Sequence, residues 1–154
     1  MKKPIIIALL YYALTNLTSF SQGQWIEEEI DPDTGLRTGK IEINGVIATI
    51  NSGVDLSGIN LEGADLKKAN LERAILISSN FRGANLEGAN LTYSRLNSAD
   101  FSDANLSESN LSGSILQGSD FNSANLYKAN LSSTNMGNAN FKDSNLKNAY
   151  LHSV

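Results

Sequence analysis

Residues 81–106 read FRGANLEGANLTYSRLNSADFSDANL. A large apolar residue returns at every fifth position, at Phe81, Leu86, Leu91, Leu96, Phe101 and Leu106. Followed outward in both directions, the same register runs from Leu56 to Leu151, through Met136 and Phe141, for twenty units without a slip. Two positions before each centre stands Ala, Ser or Thr in eighteen units; Val54 and Ile59, in the first two, depart from this. One position before the centre stands Asn or Asp in sixteen. The repeat accounts for a composition of 19 Asn, 19 Ser and 20 Leu with only 2 Pro.

A period of five suits neither a helix at 3.6 residues per turn nor a flat strand at two. It suits a short extended stretch closed by a turn. In extended chain, residues two apart point the same way, so the small residue and the large apolar one face inward together. The three others, mostly polar, face outward. A second period sets the number of sides. Phe replaces Leu at 81, 101, 121 and 141, and Ile75, Arg95 and Ile115 break the Asn/Asp rule at the same interval of twenty. Three sides per coil would give an interval of fifteen; twenty means four. Twenty units then make about five coils, and at a strand spacing of about 4.8 Å the rod stands about 24 Å tall. The predicted fold class is all-β, a solenoid with an apolar axis in which the phenylalanines stack above Leu61.

Units such as ADLKK (64–68), ANLEG (84–88) and ANLYK (124–128) resemble the pentapeptide-repeat family, and the resemblance extends over residues 54–154. It implies a right-handed quadrilateral β-helix, frequently dimeric through its end coil. It also raises an alternative function, because some members resemble B-form DNA in size and charge and protect DNA gyrase from quinolones. That role asks for a strongly acidic cytoplasmic rod. Residues 54–154 carry 10 acids and 8 bases, a net charge of -2.

Two segments precede the repeat. Residues 1–21 start with Lys2 and Lys3, continue through the apolar run PIIIALLYYAL (4–14) and reach small residues at Ser19 and Ser21. This is the pattern of a secretory signal peptide cut near Ser21/Gln22, and it is shorter than the run of about 20 apolar residues that a span needs. The expected mature chain is exported, to the periplasm or beyond, with no membrane span. Residues 22–53 read as a small β-hairpin, with Gln24–Ile30 and Lys40–Ile50 extended around the turn signal Asp31-Pro32-Asp33-Thr34-Gly35. Its expected task is to cap the first coil, with Trp25 as anchor, since an open coil end is an unpaired strand edge. Asp31-x-Asp33-x-Gly35 faintly matches a calcium loop, but the later bidentate acid is missing, and the turn reading is preferred.

Chemistry is sparse. The chain has no Cys and a single His, His152, near its end, which rules out Cys-based metal sites and thiol catalysis and leaves no set of residues for a catalytic triad. Asp100, Asp103 and Asp120 are the nearest approach to an acidic group, and a convex rod offers them no cleft. Neither an enzyme nor a cofactor site is expected, and the formal net charge of -4 weighs against nucleic acid as a partner. The Asn columns 70/90/110/130 and 85/105/125/145 read as structural amides. One outward column differs: Asp55, Ile75, Arg95, Ile115 and Asn135, with Ile77 beside it. Ile75, Ile77, Arg95 and Ile115 form the candidate interaction strip, open to a protein partner or covered by the N-terminal hairpin. At the far end, the last centre is Leu151, and a homodimer through the C-terminal coil is the expected cover. The function expected is that of a non-catalytic exported scaffold.

Overall fold

A computed structural model describes residues 24–43 and 46–153. The signal-peptide reading of residues 1–21 lies outside the described residues. From residue 54 onward the chain winds as expected. Parallel single-residue bridges join positions twenty apart, from Asp55–Ile75 to Asn130–Tyr150. Four faces follow in chain order. Their inward centres are Leu56, Leu76, Leu96, Leu116 and Met136 on the first face, and Leu61, Phe81, Phe101, Phe121 and Phe141 on the second. Leu66, Leu86, Leu106, Leu126 and Leu146 line the third, and Leu71, Leu91, Leu111, Leu131 and Leu151 the fourth.

The unit Ala64–Lys68 shows where five backbone amides go, and so why the repeat has this composition. The Ala64 N–H closes a tight turn on the Leu61 carbonyl at 3.0 Å. Leu66 and Lys68 donate to Asn85 and Glu87 carbonyls of the next coil, at 2.7 and 2.8 Å. The residue before the centre donates back to the previous coil, as Asn85 does to the Ala64 carbonyl at 2.9 Å. One amide remains, that of the residue after the centre. Lys67 gives it to Asp65 Oδ1 at 3.2 Å, and this is the physical reason for Asn or Asp before each centre. The third turn residue is left-handed, with φ 56° at Lys68 and 57° at Tyr93, as a type II turn demands. That conformation costs an L-residue about 1–2 kcal/mol; the residue's own N–H bond to the next coil holds it there.

Inside, Leu and Phe centres from Leu61 to Leu131 are fully buried. Phe81, Phe101, Phe121 and Phe141 stack with centroids 4.8–4.9 Å apart and planes within 6°, so the rise between coils and the stacking distance coincide. Where the small inward residue is Ser or Thr, its hydroxyl mostly returns to the carbonyl three residues back, as Ser94 does to Leu91 at 2.6 Å, Ser109 to Leu106 at 2.7 Å and Thr134 to Leu131 at 2.7 Å; Ser79 reaches the Leu56 carbonyl of the previous coil instead, at 2.8 Å. Ser114 Oγ is buried without a partner. An unsatisfied buried hydroxyl costs about 1–3 kcal/mol, so Ser114→Ala is expected to stabilise the protein by about 1 kcal/mol. Ser94→Ala, which removes a bonded hydroxyl, should gain nothing. Urea midpoints of the two variants check this, and equal losses would contradict the assignment.

The N-terminal segment departs from expectation. It is not a two-stranded hairpin but a three-stranded antiparallel sheet in the order β1-β2-β3, formed by Gln24–Ile30 (β1), Arg37–Ile43 (β2) and Val46–Ile50 (β3). The expected strand Lys40–Ile50 is two strands, β2 ending at Ile43 and β3 starting at Val46; the sequence between them, Asn44-Gly45, is a dipeptide that favours a two-residue hairpin connection. Ile41, Ala48 and Ile50 are buried in one cluster with the solenoid core. The sheet joins the first coil at Arg37, whose N–H donates to the Lys68 carbonyl at 2.7 Å while Asn70 donates to the Arg37 carbonyl at 2.8 Å. Trp25 Nε1 donates to the Asp65 carbonyl at 2.8 Å, as an anchor should. The Arg37 guanidinium lies 4.5 Å from the centre of the Trp25 ring and pairs with Glu28 and Asp65. The sheet therefore bonds to the third and fourth faces of the first coil. Leu56 and Ile59, on the other side, stay only partly buried.

Candidate interaction surface

The Asp31 carboxylate is occupied by the β1–β2 turn: its Oδ1 accepts the Asp33 and Thr34 amides at 2.9 and 2.8 Å. These bonds, that from the Thr34 amide foremost, hold its carboxyl below the usual range. No group of three or more metal-ligating side chains occurs among the described residues. Of the acids considered for catalysis, Asp100 and Asp120 are ladder neighbours and Asp103 pairs with Arg82 at 3.3 Å. His152 is exposed at the last coil.

The four faces treat their outward columns differently. On the third face the carboxamides form a ladder. Asn85, Asn105, Asn125 and Asn145 each donate Nδ2 to Oδ1 of the residue one coil earlier, at 3.4, 3.2, 3.0 and 3.0 Å. On the second face the ladder is broken. Asn80 donates to Asn60 and Asn140 to Asp120, both at 2.9 Å, but Asp100 and Asp120 have no amide hydrogen to pass on and set two carboxylates side by side. Asp100→Asn supplies a donor for Asn80 Oδ1 and removes the like-charge neighbour. A gain of about 0.2–1 kcal/mol is expected, read as a higher melting temperature; a fall would show that the carboxylate at 100 holds a bond the amide cannot replace.

On the fourth face, Asn70, Asn90, Asn110 and Asn130 accept their turn amides at 3.0–3.3 Å. Their Nδ2 groups donate to no described residue.

The first face holds the predicted strip. Ile75, Arg95 and Ile115 are bridged in one column between Asp55 and Asn135. Ile75, Ile77 and Ile115 are half-buried and Arg95 is exposed, with no ion pair among the described residues. At the column's ends the turn amides are taken: Ser57 donates to Asp55 Oδ1 at 3.0 Å and Gly137 to Asn135 Oδ1 at 3.3 Å. The Ser57 hydroxyl, and then its amide, hold the Asp55 carboxyl below its ordinary range. Between them, isoleucine and arginine offer no oxygen, and the amides of Ile77, Asn97 and Gln117 meet no acceptor among the described residues. The apolar residues were legible in the sequence. The unpaired amides were also encoded there, in the absence of Asn or Asp at 75, 95 and 115, but their meaning emerges only once the turn bond is seen. The N-terminal sheet bonds to residues 65–70 and leaves this column uncovered by any described contact.

The last coil is the second candidate. Met136, Phe141 and Leu146 are only partly buried and Leu151 is 42% exposed, whereas the centres one coil earlier are fully buried. Tyr93 and Tyr150 are exposed on the fourth face, while Tyr127 lies half-buried on the third with Lys128 Nζ 5.2 Å from its ring centre.

The family pattern "Pentapeptide repeats" matches residues 55–92, 84–122 and 124–154, in eight copies. The chain belongs to the pentapeptide-repeat family. Among solved structures, this pentapeptide-repeat protein is similar to HetL, a pentapeptide repeat protein involved in heterocyst differentiation regulation from the cyanobacterium Nostoc sp. strain PCC 7120. The two are 28% identical with a TM-score of 0.53, and the match covers 64% of this chain and 58% of HetL. A pentapeptide repeat protein from the Arabidopsis thaliana thylakoid lumen is 37% identical over 63% of this chain and 64% of its own, with a TM-score of 0.43. Rfr23, from the cyanobacterium Cyanothece 51142, is 24% identical over 85% and 82%, with a TM-score of 0.46. The chain thus spans less than two thirds of the first two structures. No curated protein matches it. Family membership and the likeness to HetL imply the right-handed quadrilateral β-helix. No helix among the described residues is long and apolar enough to cross a membrane.

Proposed function

We propose that this pentapeptide-repeat protein is a non-catalytic, exported scaffold that binds a protein partner on its first face and pairs with a second copy through its last coil. One observation carries the reading: the first face combines half-buried Ile75, Ile77 and Ile115 with the exposed Arg95 guanidinium and three unpaired turn amides at 77, 97 and 117. Apolar contact, one cation and a row of backbone donors suit a partner chain that offers aliphatic side chains, a carboxylate and backbone carbonyls. Export rests on the pattern of residues 1–21. The dimer rests on the part-exposed centres Met136, Phe141, Leu146 and Leu151 of the last coil. A gyrase-directed role would need more negative charge than a net of -2 over residues 54–154.

The test places a photo-crosslinking amino acid at position 97, in protein made with its natural start, and fractionates the cells. A discrete crosslinked protein outside the cytoplasm, lost in Ile75→Glu/Ile115→Glu but kept in Asn105→Asp, is expected. The intact mass should begin at Gln22. Crosslinks indifferent to the isoleucine changes would overturn the first face as the site, and a full-length cytosolic chain would overturn export. Light scattering at tens of micromolar decides the dimer: a twofold mass that Leu151→Asp halves is expected, and a monomer excludes it.

A further inference from the structure

The third and fourth faces carry the same residue in the same place, with different consequences. On both, Oδ1 of the column asparagine accepts the turn amide. On the third face Nδ2 is spent on the neighbouring coil. On the fourth, Asn70, Asn90, Asn110 and Asn130 keep Nδ2 free of any described acceptor. These donors are not buried, since Ser114 Oγ is the only buried side-chain polar atom without a partner among the described residues. Their orientation is set by the turn bond, which needs the oxygen on its own side. The result is a straight row of oriented N–H donors, one per coil, at the 4.8–4.9 Å interval that the ring stack measures. Hydroxyls flank the row at Ser112 and Ser132, and at Thr92, whose hydroxyl donates to Asn90 Oδ1 at 2.8 Å.

The charge on this face cancels: Glu72 pairs with Arg73 at 2.8 Å. Tyr93 stands 63% exposed at its margin, beside Gly113, where an added Cβ would come within 2.6 Å of the ring. Near its N-terminal end, Thr34 and Leu36 of the β1–β2 turn line a shallow, open depression together with Glu72, Asn90, Thr92 and Asn110. A face of no net charge with periodic donors, hydroxyls and an exposed aromatic edge, and without the isoleucines of the first face, suits an uncharged, extended polymer rich in acceptor oxygens.

We infer that the fourth face binds a neutral polysaccharide chain, laid along the rod axis with one sugar ring per coil. Hydroxyl and ring oxygens of successive rings accept from Asn70, Asn90, Asn110 and Asn130; acetamide carbonyls, which alternate sides along a β-1,4-linked chain, reach every second one. The shallow depression beside Thr34 and Leu36 lies at one end of the bound stretch. This site is independent of the protein-binding reading of the first face.

The experiment is cosedimentation of the full chain with microcrystalline cellulose and with chitin, competed by cellohexaose and chitohexaose. The informative variant is Asn90→Asp/Asn110→Asp. Each carboxylate retains the oxygen that accepts the turn amide and loses only the free donor, so the turn survives; an unchanged circular dichroism melt checks that. Asn105→Asp/Asn125→Asp, on the third face, is the matched control in charge and number. Retention on at least one polymer, displaced by its soluble hexamer, is expected. Affinity should fall tenfold or more in the fourth-face variant, with less than a twofold change in the control. Absence of binding to both polymers overturns the inference. So does binding that both double variants weaken equally, or that the fourth-face variant leaves intact.

Discussion

Phe101→Ala is expected to be among the most damaging single substitutions in the solenoid. Phe101 is fully buried and stacked on both sides, 4.8 Å from Phe81 and 4.9 Å from Phe121. Truncating a buried Phe costs about 3–5 kcal/mol through lost burial and the cavity left behind. Two ring pairs vanish with it, each worth about 0.5–1.5 kcal/mol beyond area. Neighbouring coils cannot close the gap, because their spacing is fixed by backbone bonds such as Phe81 N–H to the Asp100 carbonyl at 2.7 Å. Phe141→Ala is the internal comparison: Phe141 is only partly buried and stacks on one ring. Denaturant midpoints should place Phe101→Ala well below Phe141→Ala. Equal losses would mean that the axial stack is not where the rod's stability resides. In a solenoid each coil leans on its neighbours, so the central variant should also broaden the transition as the two halves uncouple.

Gly39→Ala is expected to release β1 from the N-terminal sheet while the rod stays folded. Gly39 has φ +135° and faces Glu28 across the β1–β2 pair, next to the register shift between Trp25 and Glu27. An added Cβ would overlap the Glu27 carbonyl, which is backbone and cannot rotate away. Such a backbone conformation costs a non-glycine residue about 1–3 kcal/mol before the overlap is counted. Ile41, Ala48 and Ile50 anchor β2 and β3 in the solenoid core, whereas β1 reaches the first coil through the Trp25 Nε1 bond to the Asp65 carbonyl, so β1 should separate. Trp25 is the only tryptophan, and its fluorescence reports on this sheet alone. A red-shifted, quencher-accessible emission with the main circular dichroism transition retained is the expected result. Wild-type emission would show that β1 shifts its register to accommodate the methyl group.

Sequence and structure divide the work along a physical line. The five-residue register, the inward residues and the interval of twenty were readable because each repeats one local rule many times. A small residue, a large one and an oxygen-bearing one recur, and the Phe and Ile substitutions mark the sides. The strip at Ile75, Arg95 and Ile115 was visible as a break in that rule. The N-terminal segment repeats nothing, so its third strand went unread despite the Asn44-Gly45 signal within Lys40–Ile50. Where the sheet docks was equally hidden, because that depends on single long-range bonds such as Trp25 to Asp65, forty residues apart.

The two asparagine columns mark the boundary most sharply. From the sequence alone they are equivalent, since each presents an amide once per coil. The sequence by itself determined that these columns are structural amides repeated once per coil; that each oxygen closes its turn follows from the backbone bonds, which leave the turn amide no other partner. Only the tertiary structure decided that the third face would spend its Nδ2 groups on the next coil and the fourth would leave them to solvent. That choice turns on side-chain orientation between coils, and a pattern of residue types does not encode it.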